Sequence, residues 1–333
     1  MSRLLAWAGV SREKARDPHT LPSGETEKGC EHVACSPTTP GDATSIVKRI
    51  VGIHARLQGL TDLRPSETTN SLFGDLVSQC CEIHDANTVS QVLASCKLQA
   101  VLPSLQSICS QAESCLENHW ASHIAQGQDP TEAQRLLETF PYYGNYEELT
   151  RLELCALRAA GLARPQKIAF VGSGPLPLTP ICLLKALKED ALTGPVSQTE
   201  HQQGPMIINV DRDEEAVATA STLITKLGIP KEEMEHYCGS AESQSLNLSS
   251  CDVVYLAALV GVTQIEKEQI ALSIAARMRP GALLVIRSSW GLRNCLYPEF
   301  DATTASLRSK LEVALVVHPY GKVVNSVIVT RVR

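Results

Sequence analysis

Gly172, Ser173 and Gly174 follow the apolar run Ile168 to Val171, which has the length of a buried strand. Missing β-carbons in such a turn let the backbone approach a ligand closely, and ligands of open α/β sheets bind at the carboxyl ends of strands. The spacing is not that of a dinucleotide fingerprint, because Pro177 stands three residues after Gly174 and Pro175 and Pro177 occupy the start of any phosphate-binding helix. No Lys-Ser or Lys-Thr pair follows, so a P-loop is excluded as well. A GxG turn without a phosphate cradle suits a nucleoside ligand such as S-adenosylmethionine. Asp211, at the end of the next apolar run, is placed to accept hydrogen bonds from ribose hydroxyls or to cap the helix that follows, and capping is the expected role of Asp213. Gly239, Ser240 and Ala241 fall where such folds touch an adenine.

A second group lies earlier in the chain. At 100° per residue, Leu105, Ile108, Cys109, Ala112, Leu116, His119, Trp120 and His123 form one apolar helical stripe. Glu113 stands at its margin, where partial desolvation raises a carboxyl pKa and fits it for proton handling; a boundary residue whose head reaches water is the plainer reading. Glu117, one turn on, is expected further toward solvent. Cys115, His119 and His123 repeat at i, i+4 and i+8 but lack a fourth ligand, so no metal site is assigned. Cys30, His32 and Cys35 are likewise an incomplete set. Tyr142, Tyr143 and Tyr146 cluster in Phe140 to Tyr146, offering apolar walls with hydrogen-bonding tips that orient an amine, or else an interdomain hinge. Arg151 and Glu153 are expected to face solvent rather than to hold an amino acid's charged ends.

The elements that position these groups divide the chain. Residues 11 to 43 are too polar and proline-rich to bury a core, so 1–43 is expected to be a mobile tail. Helical patterns follow near 44–58, 69–85, 88–99, 103–126, 131–138 and 146–161, giving a helical domain over 44–161. From 162 to 333, strands alternate with helices of about a dozen residues, which implies a mostly parallel sheet covered on both faces. Residues 190 to 204 are expected to form an inserted surface loop. The last two strands, 311–317 and 323–330, are joined by too short a turn for a crossover and must be antiparallel. The fold class is therefore α/β: a Rossmann-like, S-adenosylmethionine-dependent methyltransferase-type sheet preceded by an all-helical N-terminal domain.

The chain has 333 residues, 44% of them hydrophobic, enough for two cores. A net charge of −6 argues against nucleic acid as a partner. No window approaches a membrane span of about 18 apolar residues and no signal h-region opens the chain; a cytoplasmic protein is expected. The twelve cysteines are scattered without a CxxC pair and are expected to be reduced core residues.

The segments FPYYGNYEELTRLEL (140–154), KIAFVGSGPLPLTP (167–180), DVVYLAALVG (252–261), IRSSWGLRNCLYP (286–298) and HPYGKVVNSVIV (318–329) together resemble nicotianamine synthase, in the right order over about 190 residues. Ser71 to Phe73 and Gln111 to Leu116 look like that family's helical region, whereas residues 1–43 and 190–204 fall outside the resemblance. The family has His where Trp290 stands, so no proton-handling role is carried to that position.

The resemblance implies that three S-adenosylmethionine molecules donate 3-amino-3-carboxypropyl groups, giving nicotianamine and three methylthioadenosines. It implies that Glu113 takes the amine proton with Tyr142 and Tyr146 beside it. Gly172, Ser173, Gly174, Pro175, Asp211, Ser240, Ala241 and Leu256 should surround the donor, and Arg287 should hold a carboxylate or form a structural ion pair. The metal chemistry belongs to the chelating product, so no metal and no cofactor beyond the substrate S-adenosylmethionine is expected; a homo-oligomer is left open. An ordinary methyltransferase, an aminocarboxypropyl transferase acting on another amino acid such as histidine, and a silent S-adenosylmethionine-binding protein are the rivals.

Overall fold

The computed structural model describes residues 41–193 and 204–333. Residues 1–40 of the expected tail, with Cys30, His32 and Cys35, and most of the loop at 190–204 therefore lie outside the described residues, whereas 41–43, expected in the tail, already belong to the first helix, where Ala43 is buried in its core.

Six helices come first: α1 (Gly41–Gln58), α2 (Glu67–Cys81), α3 (Ala86–Leu93), α4 (Cys96–Ile124), α5 (Pro130–Glu138) and α6 (Tyr143–Ala159). Side-chain caps fix several starts: Ser66 accepts from Thr69 N, Asp85 from Asn87 N and Thr88 N, and Asp129 from Glu132 N. The gap expected at 100–102, ahead of Pro103, lies instead at residues 94–95, and α4 runs through the proline. Pro103 removes one backbone hydrogen bond, but Leu98 and Leu105 on either side are fully buried, and that packing carries the helix across. With 29 residues, α4 is about 43 Å long, and it is the spine against which the other layers assemble.

The alternating half follows as β1 (Lys167–Val171), α7 (Leu178–Thr193), β2 (Met206–Asp211), α8 (Glu214–Lys226), β3 (Met234–Cys238), β4 (Val253–Leu256), α9 (Gln264–Ala275), β5 (Leu283–Ser288), a 3₁₀ turn at Gly291–Cys295, α10 (Ala305–Arg308), β6 (Leu311–Val317) and β7 (Ser326–Val332). The strands form one sheet in the order β3-β2-β1-β4-β5-β7-β6. The first five are parallel, and β7 is antiparallel to both neighbours, with Ile286 opposite Ile328 and Val317 opposite Val327. The antiparallel pair is as the short connection requires, although β7 begins at Ser326 because residues 318–325 form the loop between them.

Each face of the sheet has its own core. Ile168, Phe170, Val253, Tyr255 and Val285 pack with residues of α6, α7 and α8, whereas Ala169, Val171, Val254, Leu256 and Leu284 pack with α9 and α10. A third core joins α1, α2, α3 and the first half of α4 to Leu292, Cys295 and Leu296. The second half of α4 and all of α5 and α6 belong to the sheet's core, so packing crosses the sequence boundary near 161. Among the described cysteines, Cys80, Cys109, Cys182, Cys251 and Cys295 are buried, but Cys96, Cys155 and Cys238 are exposed, contrary to expectation: they sit on outer faces of elements whose inner faces are filled by other residues. No single described helix is long and apolar enough to cross a membrane.

Candidate active site

The turn after β1 is shaped by two left-handed glycines, Gly172 (φ +83°) and Gly174 (φ +64°). A Cβ on Gly172 would lie 2.2 Å from Val260 Cγ2, and one on Gly174 would lie 2.5 Å from Glu117 Oε2. A side chain at Gly172 would thus press on Val260 and Ala257 of the loop after β4, and one at Gly174 would displace the Glu117 carboxylate. The turn is tied to β2: Gly172 N donates to Val210 O at 2.8 Å and Gly174 N to Asp211 Oδ2 at 2.9 Å. Asp213 N donates to Asp211 Oδ1 at 3.1 Å. Each Asp211 oxygen therefore already accepts one backbone N–H and keeps further lone pairs for a ligand. Asp213 caps α8 through Glu215 N and Ala216 N, as expected.

Above this turn lies a cavity of about 610 Å³. Gly172, Ser173, Gly174, Pro175, Asp211, Ser240 and Ala241 line its sheet side, and Glu113, Glu117, Tyr146, Arg287 and Tyr297 its far side. A chamber of about 120 Å³ adjoins it, lined by Phe73, Leu116, Phe140, Tyr142, Leu149 and Val323 among others. Glu113, Glu117, Tyr146, Tyr297 and Asn325 border both spaces.

Glu113 and Glu117 are one helical turn apart on α4 and so share a face. Tyr297 Oη donates to Glu113 Oε2 at 2.8 Å. Burial pushes Glu113 above the ordinary carboxylate range, opposed by the Tyr297 hydrogen bond and the charge of Arg287. Burial, then the charges of Glu113 and Asp211, push Glu117 well above that range, with only Arg287 opposing. Two half-buried carboxylates that raise one another's pKa favour protonation of one of the pair. Burial and the same carboxylates hold the phenols of Tyr146 and Tyr297 protonated, as donors.

Arg287 is 6% exposed. Its Nε and Nη2 donate to Glu153, which is 0% exposed, at 2.8 and 3.1 Å, and Nη2 also donates to Thr179 Oγ1 at 2.8 Å. Nη1 has no acceptor among the described residues, and Arg287 lines the cavity. Burial alone would lower the guanidinium pKa, but Glu153 raises it and keeps the charge in place. One edge of Arg287 is thus a structural ion pair and the other is open to a ligand.

The structure places four residues differently from expectation. Glu117 is not on the solvent side: the bare Gly174 leaves room for its carboxylate at the cavity wall. Glu153 is fully buried because Arg287 waits for it across the core, while Arg151 is exposed. Leu256 does not border the cavity; as a β4 residue it points into the α9 side of the sheet, and Ala257 and Ala258 take its place. Tyr142 lines the side chamber, which Glu113 also borders, in keeping with the place expected for it. His119 is exposed rather than part of the apolar stripe, and His119 and His123 both pack edge-on against Trp120. No group of three or more His, Cys, Asp or Glu among the described residues is arranged to hold a metal.

Glu117, Tyr297, Asn325 and Lys267 were not assigned roles from sequence. Tyr297 stood within the quoted run at 286–298, but its approach to Glu113, 184 positions away, depends on the packing of the 3₁₀ turn against α2 and α4. Lys267 of α9 is 4% exposed; its Nζ donates to Ala257 O and Ala258 O, and burial pushes it down to about 7.

The strand order, the glycine turn and the acid at the end of β2 define a Rossmann-like sheet of the S-adenosylmethionine-dependent methyltransferase type with a helical cap. Residues 39–333 match the family described as nicotianamine synthase protein. The chain is 33% identical over 290 residues to nicotianamine synthase of Solanum lycopersicum, covering 87% of this chain and 84% of that one. It is 35% identical over 296 residues to nicotianamine synthase 1 of Oryza sativa subsp. japonica, covering 87% and 82%. The crystal structure of a Glu-to-Gln mutant of MtNAS in complex with S-adenosylmethionine shares the fold, with a TM-score of 0.69 at 20% identity, covering 86% of this chain and 97% of that one. The chain belongs to the nicotianamine synthase family.

Proposed function

We propose that this protein condenses three S-adenosylmethionine molecules into nicotianamine by successive transfer of 3-amino-3-carboxypropyl groups, releasing three methylthioadenosines. The observation that carries the reading is the half-buried carboxylate pair, Glu113 and Glu117, facing the glycine turn across one cavity with Tyr146 and Tyr297 beside it. An amine that attacks a sulfonium carbon must lose a proton, and a carboxylate with a raised pKa facing the donor site can take it; that the group transferred is aminocarboxypropyl rather than methyl is supported by the family to which the chain belongs.

In each step the amine lone pair of the acceptor forms a bond to the γ-carbon of the donor chain. The carbon–sulfur bond breaks, its electron pair stays on sulfur, and a neutral thioether leaves without a general acid. Glu113 takes the amine proton, Tyr297 holds Glu113, and Tyr146 orients the amine. The free Nη1 edge of Arg287 takes a substrate carboxylate. Gly172 to Pro175, Asp211, Ser240 and Ala241 hold the donor's nucleoside. Orientation of this kind lowers a barrier by several kcal/mol, about 7–11 in the best model systems. A last attack within one chain closes the four-membered ring. No resident metal or cofactor enters these steps, and the setting proposed is the cytoplasm.

The test is mass spectrometry of the purified protein incubated with S-adenosylmethionine alone. Methylthioadenosine with nicotianamine is expected. S-adenosylhomocysteine would overturn the reading in favour of methyl transfer, and methylthioadenosine formed only on addition of another amino acid would replace the acceptor.

A further inference from the structure

Six consecutive residues after β4, Ala257 to Val262, line the cavity, and Lys267 holds the start of that run from behind. Its Nζ donates to Ala257 O at 3.0 Å and to Ala258 O at 2.6 Å. Lys267 is 4% exposed, lies outside the cavity lining, and forms no ion pair with a described residue. An ammonium placed near a helix N-terminus with no ion-pair partner among the described residues is an expensive choice for a core position, so its two carbonyl contacts call for a reason.

Peptide geometry supplies one. In a trans peptide the carbonyl and the following N–H point in opposite directions, and there are no cis peptides among the described residues. Drawing the carbonyls of Ala257 and Ala258 toward Lys267 turns the N–H groups of Ala258 and Leu259 the other way, to the cavity side. Neither N–H has an acceptor among the described residues, and both residues are half-exposed and line the cavity, so the two donors are left to water or a ligand. Successive N–H groups presented together receive an anion. The loop around them is locked. Ala257 N donates to Val171 O at 3.0 Å, Val260 packs against the bare Gly172, and Gly261 (φ +72°) lies where a Cβ would meet the Lys267 backbone at 2.7 Å.

The sheet order gives the anion its identity. Asp211 ends β2, the glycine turn ends β1, and this loop ends β4, on the other side of β1. A donor whose ribose lies at Asp211 and which crosses the turn brings its amino-acid chain to the β4 side. We propose that Lys267 is a positioning residue for a carboxylate site formed by the N–H groups of Ala258 and Leu259, and that this site holds the carboxylate of the donor's aminocarboxypropyl chain. The inference rests on the cavity being the S-adenosylmethionine site.

The test is calorimetric binding to the full chain and to Lys267→Met, using S-adenosylhomocysteine, its decarboxylated analogue and methylthioadenosine. The wild type is expected to favour S-adenosylhomocysteine over the decarboxylated analogue by about tenfold or more, the scale of a charge-assisted hydrogen bond. Lys267→Met should lose most of that preference, bind methylthioadenosine within about twofold of wild type, and melt at the same temperature or higher, since an unpaired buried charge is gone. An unchanged preference in Lys267→Met, or equal weakening of all three ligands, would overturn the proposal and leave the lysine a structural support. Should Lys267→Met fail to fold, Lys267→Gln is put to the same comparison. A wild-type protein that binds none of the three would overturn the reading of the cavity itself.

Discussion

The two walls of the cavity are built from different materials. The sheet wall is backbone: two left-handed glycines, N–H groups tied to Val210 and Asp211, and a loop whose carbonyls are tied to Lys267. The helical wall is side chain: Glu113 and Glu117 on α4, Tyr146 on α6, and Tyr297 after the 3₁₀ turn. Backbone groups fixed by strand pairing keep their position and charge whatever the pH, which suits holding a ligand common to every turn of a repeated reaction. Half-buried carboxylates and phenols have pKa values shifted first by burial and then by their charged neighbours, which suits moving protons. In the function proposed above, binding and chemistry fall on opposite walls, and substitutions on each should separate them.

The largest effect is expected from Glu113→Gln, which keeps shape and removes the base. Turnover should fall by about 10²–10⁴-fold with S-adenosylmethionine affinity within a few-fold of wild type, measured by product formation and calorimetry. Normal turnover would remove Glu113 from the chemistry and dissolve the contrast between the walls. Gly172→Ala should do the converse. The left-handed φ costs about 1–2 kcal/mol, the new Cβ meets Val260 at 2.2 Å, and the loop after β4 must shift. Donor affinity should fall about tenfold, while the rate at saturating donor changes less; a larger loss in rate than in binding would show that the sheet wall also does chemistry.

Next is Tyr297→Phe. The Tyr297 hydrogen bond lowers the Glu113 pKa against the upward push of burial, so deleting the hydroxyl should raise it further. Because the base works ionised, the acid limb of the kcat/KM profile should move to higher pH, with activity at alkaline pH largely kept. A limb that stays in place would mean that Glu113 is not the group titrating.

What sequence could show follows the same division. The sheet wall is local: the glycine turn, Asp211 and the strand pattern lie within short stretches, and the antiparallel end of the sheet follows from the short connection before β7. The helical wall is not local. Glu113 could be singled out from its place on a stripe, but Glu117 could not, because its inward course depends on the empty space at Gly174, 57 positions on. Arg287 could be named, but not its partner Glu153 across 134 positions. Pro103 misled in the other direction, since a local propensity cost is outweighed by the burial of Leu98 and Leu105.

The last effect is on stability rather than on turnover and concerns Lys267, which stands behind the sheet wall. Burial holds Lys267 at about 7, whereas its ordinary value is 10.5. Between those values the unfolded chain binds a proton at this site that the folded chain gives up. Stability therefore rises with pH across that window, by up to about 1.4 kcal/mol per pH unit for a single group, and levels off above it. Below about pH 7 both states are protonated and the buried charge is a constant burden. The measurement is urea unfolding of wild type and Lys267→Met at several pH values: the substituted protein should be the more stable near neutrality, and the gap should close as the pH rises. Curves that run parallel would mean that Lys267 keeps its proton in the fold, and that the sheet wall carries a permanent positive charge behind the N–H groups of Ala258 and Leu259.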